Sequence, residues 1–282
     1  MREDDEDEPD EIRFGPYRLA VSVLATAPLF VAYELGLLAS ERRNVAELLA
    51  SRSFEPFGDQ APLVRMIVVA CGLLAALWFA VREERERLFD PEEELDEEAT
   101  TARRLLGRVL RQIGEGALAA LCMGPLLVLA LSLFDVTVAA LEPGMAGGQG
   151  PPPLSLAARI AGGAAWEELV FRLGAYAALF LLTVRLVHFF GVGLSEASPA
   201  GDLIGLLGSA TLFAGFHLEA LTRFFGVGGE PFDSGIFLWR LLAGLVLATL
   251  FRWRGLGVAA WAHAIFNLAL LLGSGPGVFR GP

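Results

Sequence analysis

Residues 154–190 read LSLAARIAGGAAWEELVFRLGAYAALFLLTVRLVHFF and carry two adjacent carboxylates within a long apolar run. The small and apolar residues 160–165 come just before Glu167–Glu168, and a second apolar stretch follows Arg172. Charged side chains are costly in hydrocarbon, so charge that is kept there points to a function. The run is too long for one perpendicular helix, since a span needs about 20 residues. The pattern therefore predicts an approach helix and then a span, with the double glutamate near their junction.

Hydropathy along the whole chain predicts a membrane protein. Hydrophobic residues make up 54% of the 282 residues, and the mean hydropathy is +0.53. Soluble domains are roughly 45–50% apolar and lack such long charge-free runs. We therefore predict an all-α, polytopic transmembrane helix bundle with about seven spans, within a range of six to eight. The predicted spans are 19–39, 63–81, 116–141, one within 154–190, 203–218, 236–251 and 256–272.

Composition divides the chain into four regions. Residues 1–15 are predicted to be a disordered acidic tail, and residues 273–282 a flexible tail rich in glycine and proline. Residues 16–150 are predicted to hold the N-terminal transmembrane helices with the charged connector 82–111, and residues 151–272 a core region that contains the double glutamate. No basic stripe exists to neutralise phosphates, which argues against a nucleic-acid partner.

Arginines in the loops predict the orientation, because cytoplasmic loops of membrane proteins are enriched in basic residues. A cytoplasmic N-terminus places the many arginines of the connector 82–111 on the cytoplasmic side and leaves fewer on the other. We therefore expect an integral protein of the cell membrane of a prokaryote, with its N-terminus in the cytoplasm.

The two glutamates are predicted to have different roles. Glu168 and Arg172 lie four residues apart, so on a helix they share a face and suit an ion pair. Glu167 points about 100° away from Glu168 and has no such local partner. A carboxylate held away from bulk water suits a general base that works near neutral pH. The alternative is a helix end at the membrane interface, where both acids are solvated.

Two later apolar runs also carry polar residues at helical spacing. The stretch FAGFH ends the fifth predicted span at His217, and HAIFN places His263 and Asn267 one turn apart in the seventh. Taken singly, His217 fits an interfacial residue, and the pair in the seventh span fits a polar contact between membrane helices. If the three polar faces converge, the cluster is Glu167, Glu168, Arg172, His217, His263 and Asn267.

Such a cluster fits hydrolysis of an acyl bond by water. A glutamate with a histidine can deprotonate water, while a second histidine and an amide donor can stabilise the oxyanion. One glutamate and two histidines are also a plausible zinc set, although the signature HExxH is absent from the sequence. Two non-hydrolytic alternatives stay open: a membrane immunity or scaffold protein, and a proton-coupled transporter that uses Glu167 and the histidines as a relay.

Three motifs occur in order within apolar segments: Glu-Glu-x-x-x-Arg at 167–172, Phe-x-x-x-His at 213–217 and His-x-x-x-Asn at 263–267. In these motifs the chain resembles the CAAX protease and bacteriocin-processing (CPBP, or Abi) family of intramembrane endopeptidases, to which the type II CAAX prenyl protease belongs. The resemblance covers about residues 155–272. It implies an all-helical bundle whose cavity opens to the membrane or the cytoplasm.

The resemblance also implies roles for the six residues. These are water activation by Glu167 and His217, oxyanion stabilisation by His263 and Asn267, and support by Glu168 and Arg172. The implied partners are the lipid bilayer and a peptide or membrane-protein substrate. We expect that no cofactor is required, with zinc on Glu167, His217 and His263 as the minor option.

Overall fold

A computed structural model of the chain describes residues 18–38, 54–88, 97–133, 154–223 and 229–274. Within these ranges the chain is almost entirely helical and contains no β-strand beyond an isolated bridge. The predicted all-α bundle is therefore confirmed. The acidic tail 1–15 and nearly all of the predicted tail 273–282 lie outside the described residues, as does the end of the third predicted span.

Nine α-helices, one 3₁₀ helix and one π-helix make up the described residues. In chain order they are α1 (Leu19–Leu38), a 3₁₀ helix (Glu55–Gln60), α2 (Ala61–Leu88), α3 (Glu97–Ser132), α4 (Leu154–Glu168), the π-helix (Leu169–Tyr176), α5 (Ala177–Phe189), α6 (Leu194–Gly215), the short α7 (Glu219–Thr222), α8 (Ser234–Arg254) and α9 (Leu256–Ser274).

Several of these helical segments are long and apolar enough to cross a membrane. Within the described ranges they are Leu19–Gly36, Glu55–Arg85, Thr101–Ser132, Leu154–Phe189 and Ser234–Arg254. The apolar part of α9, Leu256–Leu272, is shorter. The chain is thus an integral membrane protein, and the count of about seven spans stays a prediction.

Helix α4 packs closely on α1 because its residues 161–165 are alanine and glycine. A β-carbon added at Gly162 would lie 2.2 Å from the β-carbon of Tyr33 and 2.6 Å from the carbonyl oxygen of Leu29. Small residues are the usual means by which membrane helices bring their backbones together. This close approach places the next residues of α4, which include both glutamates, inside the bundle.

We expect Gly162→Ala to destabilise the bundle, because the added methyl group meets backbone and β-carbon atoms that cannot rotate away. Overpacking of this kind costs about 1–3 kcal/mol. The thermal unfolding midpoint in detergent measures the effect. The matched control is Gly72→Ala on α2, where a β-carbon meets nothing within 4 Å and the midpoint should hold or rise. Equal midpoints for the two variants would contradict the contact of α1 with α4.

Helix α9 is held against α3 and α1 in a similar way. A β-carbon at Gly116 would lie 2.6 Å from the β-carbon of Trp261, and the Trp261 indole N–H donates to the carbonyl oxygen of Ala25 at 2.7 Å. On both sides of Trp261, α9 buries small residues: Ala259, Ala260, Ala262 and Ala264. This packing turns His263, two residues later, towards α4.

The expected approach helix and span form one uninterrupted helical segment over residues 154–189. The double glutamate still lies at a junction, because Glu168 ends α4 and the π-helix begins at Leu169. The wider turn of a π-helix is uncommon and often occurs at functional sites. Here it contains Arg172, the partner predicted for Glu168.

Candidate active site

Glu168 and Arg172 form the predicted ion pair, and neither side chain has any exposed surface. Arg172 Nε donates to Glu168 Oε2 at 3.1 Å, and the guanidinium lies 5.2 Å from the ring centre of Phe213. Removing an ion from water costs several kcal/mol unless a partner and hydrogen bonds compensate for it. The pair therefore lets two charges exist in the middle of the bundle.

The second carboxylate oxygen of Glu168 holds His263 of α9. The distance from His263 Nδ1 to Glu168 Oε1 is 2.9 Å. A carboxylate at this place requires a proton on Nδ1, which turns Nε2 of the same ring towards Glu167. His263 Nε2 lies 3.5 Å from Glu167 Oε2. Glu168 thus connects Arg172 to His263 and orients the imidazole between the two glutamates.

The ring of Phe213 is a wall that the site residues share. Phe213 is 4% exposed and lies on the last turns of α6. Its centroid is 5.2 Å from that of His217 and 5.6 Å from that of His263. Both imidazoles therefore lie against one phenyl ring, whose neighbours also include Arg172 and Phe171.

His217 follows the end of α6 by two residues, and its ring turns back on that helix. Its Nδ1 lies 2.9 Å from the carbonyl oxygen of Phe213. A carbonyl oxygen only accepts, so Nδ1 carries a proton, and in the neutral ring Nε2 then keeps its lone pair. Glu167 is among the charged groups close enough to interact electrostatically with His217.

Residues 149–269 match a family model described as Type II CAAX prenyl endopeptidase Rce1-like. This part of the chain is similar to an Rce1-like domain. The match confirms the resemblance seen in the three motifs, and it indicates a hydrolase of the CAAX-protease type. No curated protein and no solved structure matches the chain.

The Rce1-like domain contains all six predicted site residues and brings most of them together. Glu167, Glu168, Arg172 and His263 form one polar network, and His217 joins it through the ring of Phe213. Asn267 is half-buried on α9, one turn after His263. Among the hydrogen bonds of the described residues, none involves its side chain, so only its place on the helix connects it to the site.

Two charged residues of the domain near His217 were missed by the sequence analysis. Glu230 and Arg240 interact electrostatically with His217 and form an ion pair with each other. Both lie outside the three motifs. The local signal was Gly-Glu-Pro at 229–231, a turn-forming sequence just before α8.

The zinc option, on Glu167, His217 and His263, stays a prediction. Among the described residues, no three His, Cys, Asp or Glu side chains are grouped so that they could hold a metal ion. Nδ1 of His263 contacts Glu168 and Nδ1 of His217 contacts a carbonyl oxygen, an arrangement that is also found in histidines that bind a metal through Nε2. The roles of the six residues and the metal-independent mechanism remain predictions.

Proposed function

We propose that the chain is an intramembrane endopeptidase in which Glu167 and His217 activate a water molecule to hydrolyse a peptide bond. The observation that supports it best is the buried network of Glu167, His263 and Glu168, next to the phenyl ring that His217 shares, inside an Rce1-like domain. The substrate is a peptide or a membrane protein.

In the proposed attack, Glu167 takes one proton of the water while Nε2 of His217 accepts a hydrogen bond from the other. The water oxygen adds to the scissile carbonyl carbon. The proton held by Glu167 then passes to the amide nitrogen as the C–N bond breaks, so the carboxylate is regenerated. General base catalysis of this kind contributes about 10²–10⁴-fold to a rate.

The oxyanion that forms on the carbonyl is stabilised by His263 and Asn267. This role requires a doubly protonated His263, whose charge would offset the one excess negative charge that two carboxylates and one guanidinium leave in the network. This imidazolium donates to Glu168 from Nδ1 and to the oxyanion from Nε2. The amide of Asn267, one turn along α9, supplies a second donor. Donors held in place before the reaction are among the strongest sources of catalysis.

We also propose that the protein lies in the cell membrane of a prokaryote with its N-terminus in the cytoplasm. The loop arginines support this orientation, because Arg82, Arg85, Arg103, Arg104 and Arg108 all lie at one end of α2 and α3. Reporter fusions to the N-terminus test it. A fusion that is active only outside the cytoplasm would contradict it.

The test of the proposed function is a proteomic comparison of membranes that contain the wild-type chain or His217→Ala. Fragments of a substrate should appear only with the wild-type protein, and the purified protein in liposomes should then cleave that substrate. Identical fragments with a folded His217→Ala protein would overturn the proposal. An unchanged cellular phenotype would favour a scaffold, and solute flux in sealed vesicles without a peptide product would favour a transporter.

A further inference from the structure

The chain returns to His217 just before α8 begins. The backbone N–H of Glu230 donates to the carbonyl oxygen of His217 at 3.0 Å, and the N–H of Glu219 donates to the carbonyl oxygen of Glu230 at 2.8 Å. These bonds form the isolated parallel bridge between Leu218 and Glu230. Because His217 follows the end of α6, it lacks the continuing helix that would otherwise hold its carbonyl group. The bridge supplies that restraint.

The sequence around Glu230 suits this bridge. A β-carbon at Gly229 would lie 2.2 Å from Thr222 Oγ1 and 2.5 Å from the backbone nitrogen of Glu219, so the close approach requires glycine. Pro231 favours an extended conformation at Glu230, because a residue before proline is biased away from the helical region. Asp233 then caps α8 by accepting from the N–H of Ile236 at 2.8 Å.

The side chain of Glu230 is held by α8. Arg240 Nη2 lies 2.8 Å from Glu230 Oε2 and 2.9 Å from Oε1, and the two side chains are 19% and 38% exposed. Farther along α8, a β-carbon at Gly244 would lie 3.2 Å from Phe213 Cδ1. The helix that holds Glu230 therefore also packs on the phenyl ring of the site.

We propose that Glu230 and Arg240 are positioning residues for His217. Arg240 holds the Glu230 side chain, the Glu230 backbone holds the carbonyl group of His217, and the imidazole is thereby kept against Phe213 with Nε2 available to water. This inference rests on the proposed function, in which His217 acts on the water. A small displacement of a catalytic group is enough to lower a rate strongly.

Kinetics of four variants test the proposal. Arg240→Gln and Glu230→Gln should lower kcat by about 10–100-fold with little change in KM, because substrate contacts are kept. Arg240→Lys keeps the ion pair and should retain most of kcat. The matched control is Arg223→Gln, which breaks the neighbouring exposed pair of Arg223 with Glu219, whose side chains are 76% and 49% exposed. A control variant as slow as Arg240→Gln would overturn the proposal.

A second readout does not depend on activity. The chain has three histidines, so the ring signals of His188, His217 and His263 in the NMR spectrum of histidine-labelled protein can be assigned by single substitutions. Arg240→Gln should move the His217 signals and leave those of His188, whereas Arg223→Gln should move neither.

The two readouts separate the two proposals. An active His217→Ala variant together with a moved His217 signal in Arg240→Gln would refute the catalytic role and keep the positioning role. The opposite result is an inactive His217→Ala variant together with an Arg240→Gln variant whose His217 signals and kcat equal those of the wild-type protein. It would refute the positioning role alone.

Discussion

Glu167→Gln is expected to lower kcat for peptide hydrolysis by about 10²–10⁴-fold. Glutamine has nearly the shape of glutamate, and its amide can still form hydrogen bonds beside His263. It cannot take a proton from water. Glu167 is 8% exposed and lies in a run of buried residues on α4, and glutamine has almost the same volume, so the substitution should leave the fold intact. Cleavage of a defined substrate by purified protein in liposomes measures the effect.

The matched control for this variant is Glu84→Gln. Glu84 is another buried carboxylate, 2% exposed, and it pairs with Arg108 at the far end of α2, away from the site. Loss of the Glu84 charge should leave kcat within a few-fold of the wild-type value. A folded Glu167→Gln protein that still cleaves at the wild-type rate would show that the base lies elsewhere.

Arg172→Met is expected to be the most destabilising of the substitutions considered, by about 3–5 kcal/mol. Methionine keeps much of the volume but leaves Glu168, which has no exposed surface, without its counter-charge. His263 would then be the remaining polar partner of that carboxylate. Denaturant unfolding in detergent, compared with the wild-type protein, measures the loss.

The double variant Glu168→Gln/Arg172→Met is the informative control for this prediction. It removes both charges, so its stability should be higher than that of Arg172→Met alone, because a neutral buried amide is cheaper than an unpaired carboxylate. Arg223→Met gives the baseline for an exposed arginine. If Arg172→Met were no more harmful than Arg223→Met, the ion pair would not be the buried contact described above.

Local patterns were enough to predict much of the fold and part of the site. Hydropathy predicted apolar segments within α1, α2, α3, α8 and α9, because burial in a membrane requires long apolar runs. Helical spacing predicted the ion pair of Glu168 with Arg172, because residues four apart share a face. The contact between His263 and Glu168 joins residues 95 positions apart, so from sequence it could only be a hypothesis of converging faces.

Helices α2 and α3 extend beyond the spans predicted for them, to Leu88 and from Glu97, because charged helix ends continue past the apolar layer. The remaining features depend on tertiary packing. Nothing in residues 169–176 distinguishes a π-helix from an α-helix by hydropathy. The bond from Glu230 to His217 is a backbone contact, and the turn-forming Gly229 and Pro231 beside it do not indicate its partner.

The most direct test of the central claim is an experimental structure of the Glu167→Gln protein with an uncleaved peptide from its substrate. We predict that the scissile carbonyl carbon lies within one water molecule of residue 167 and of His217 Nε2, with the carbonyl oxygen turned towards His263 and Asn267. A peptide bound away from these residues, or residue 167 facing lipid, would contradict it.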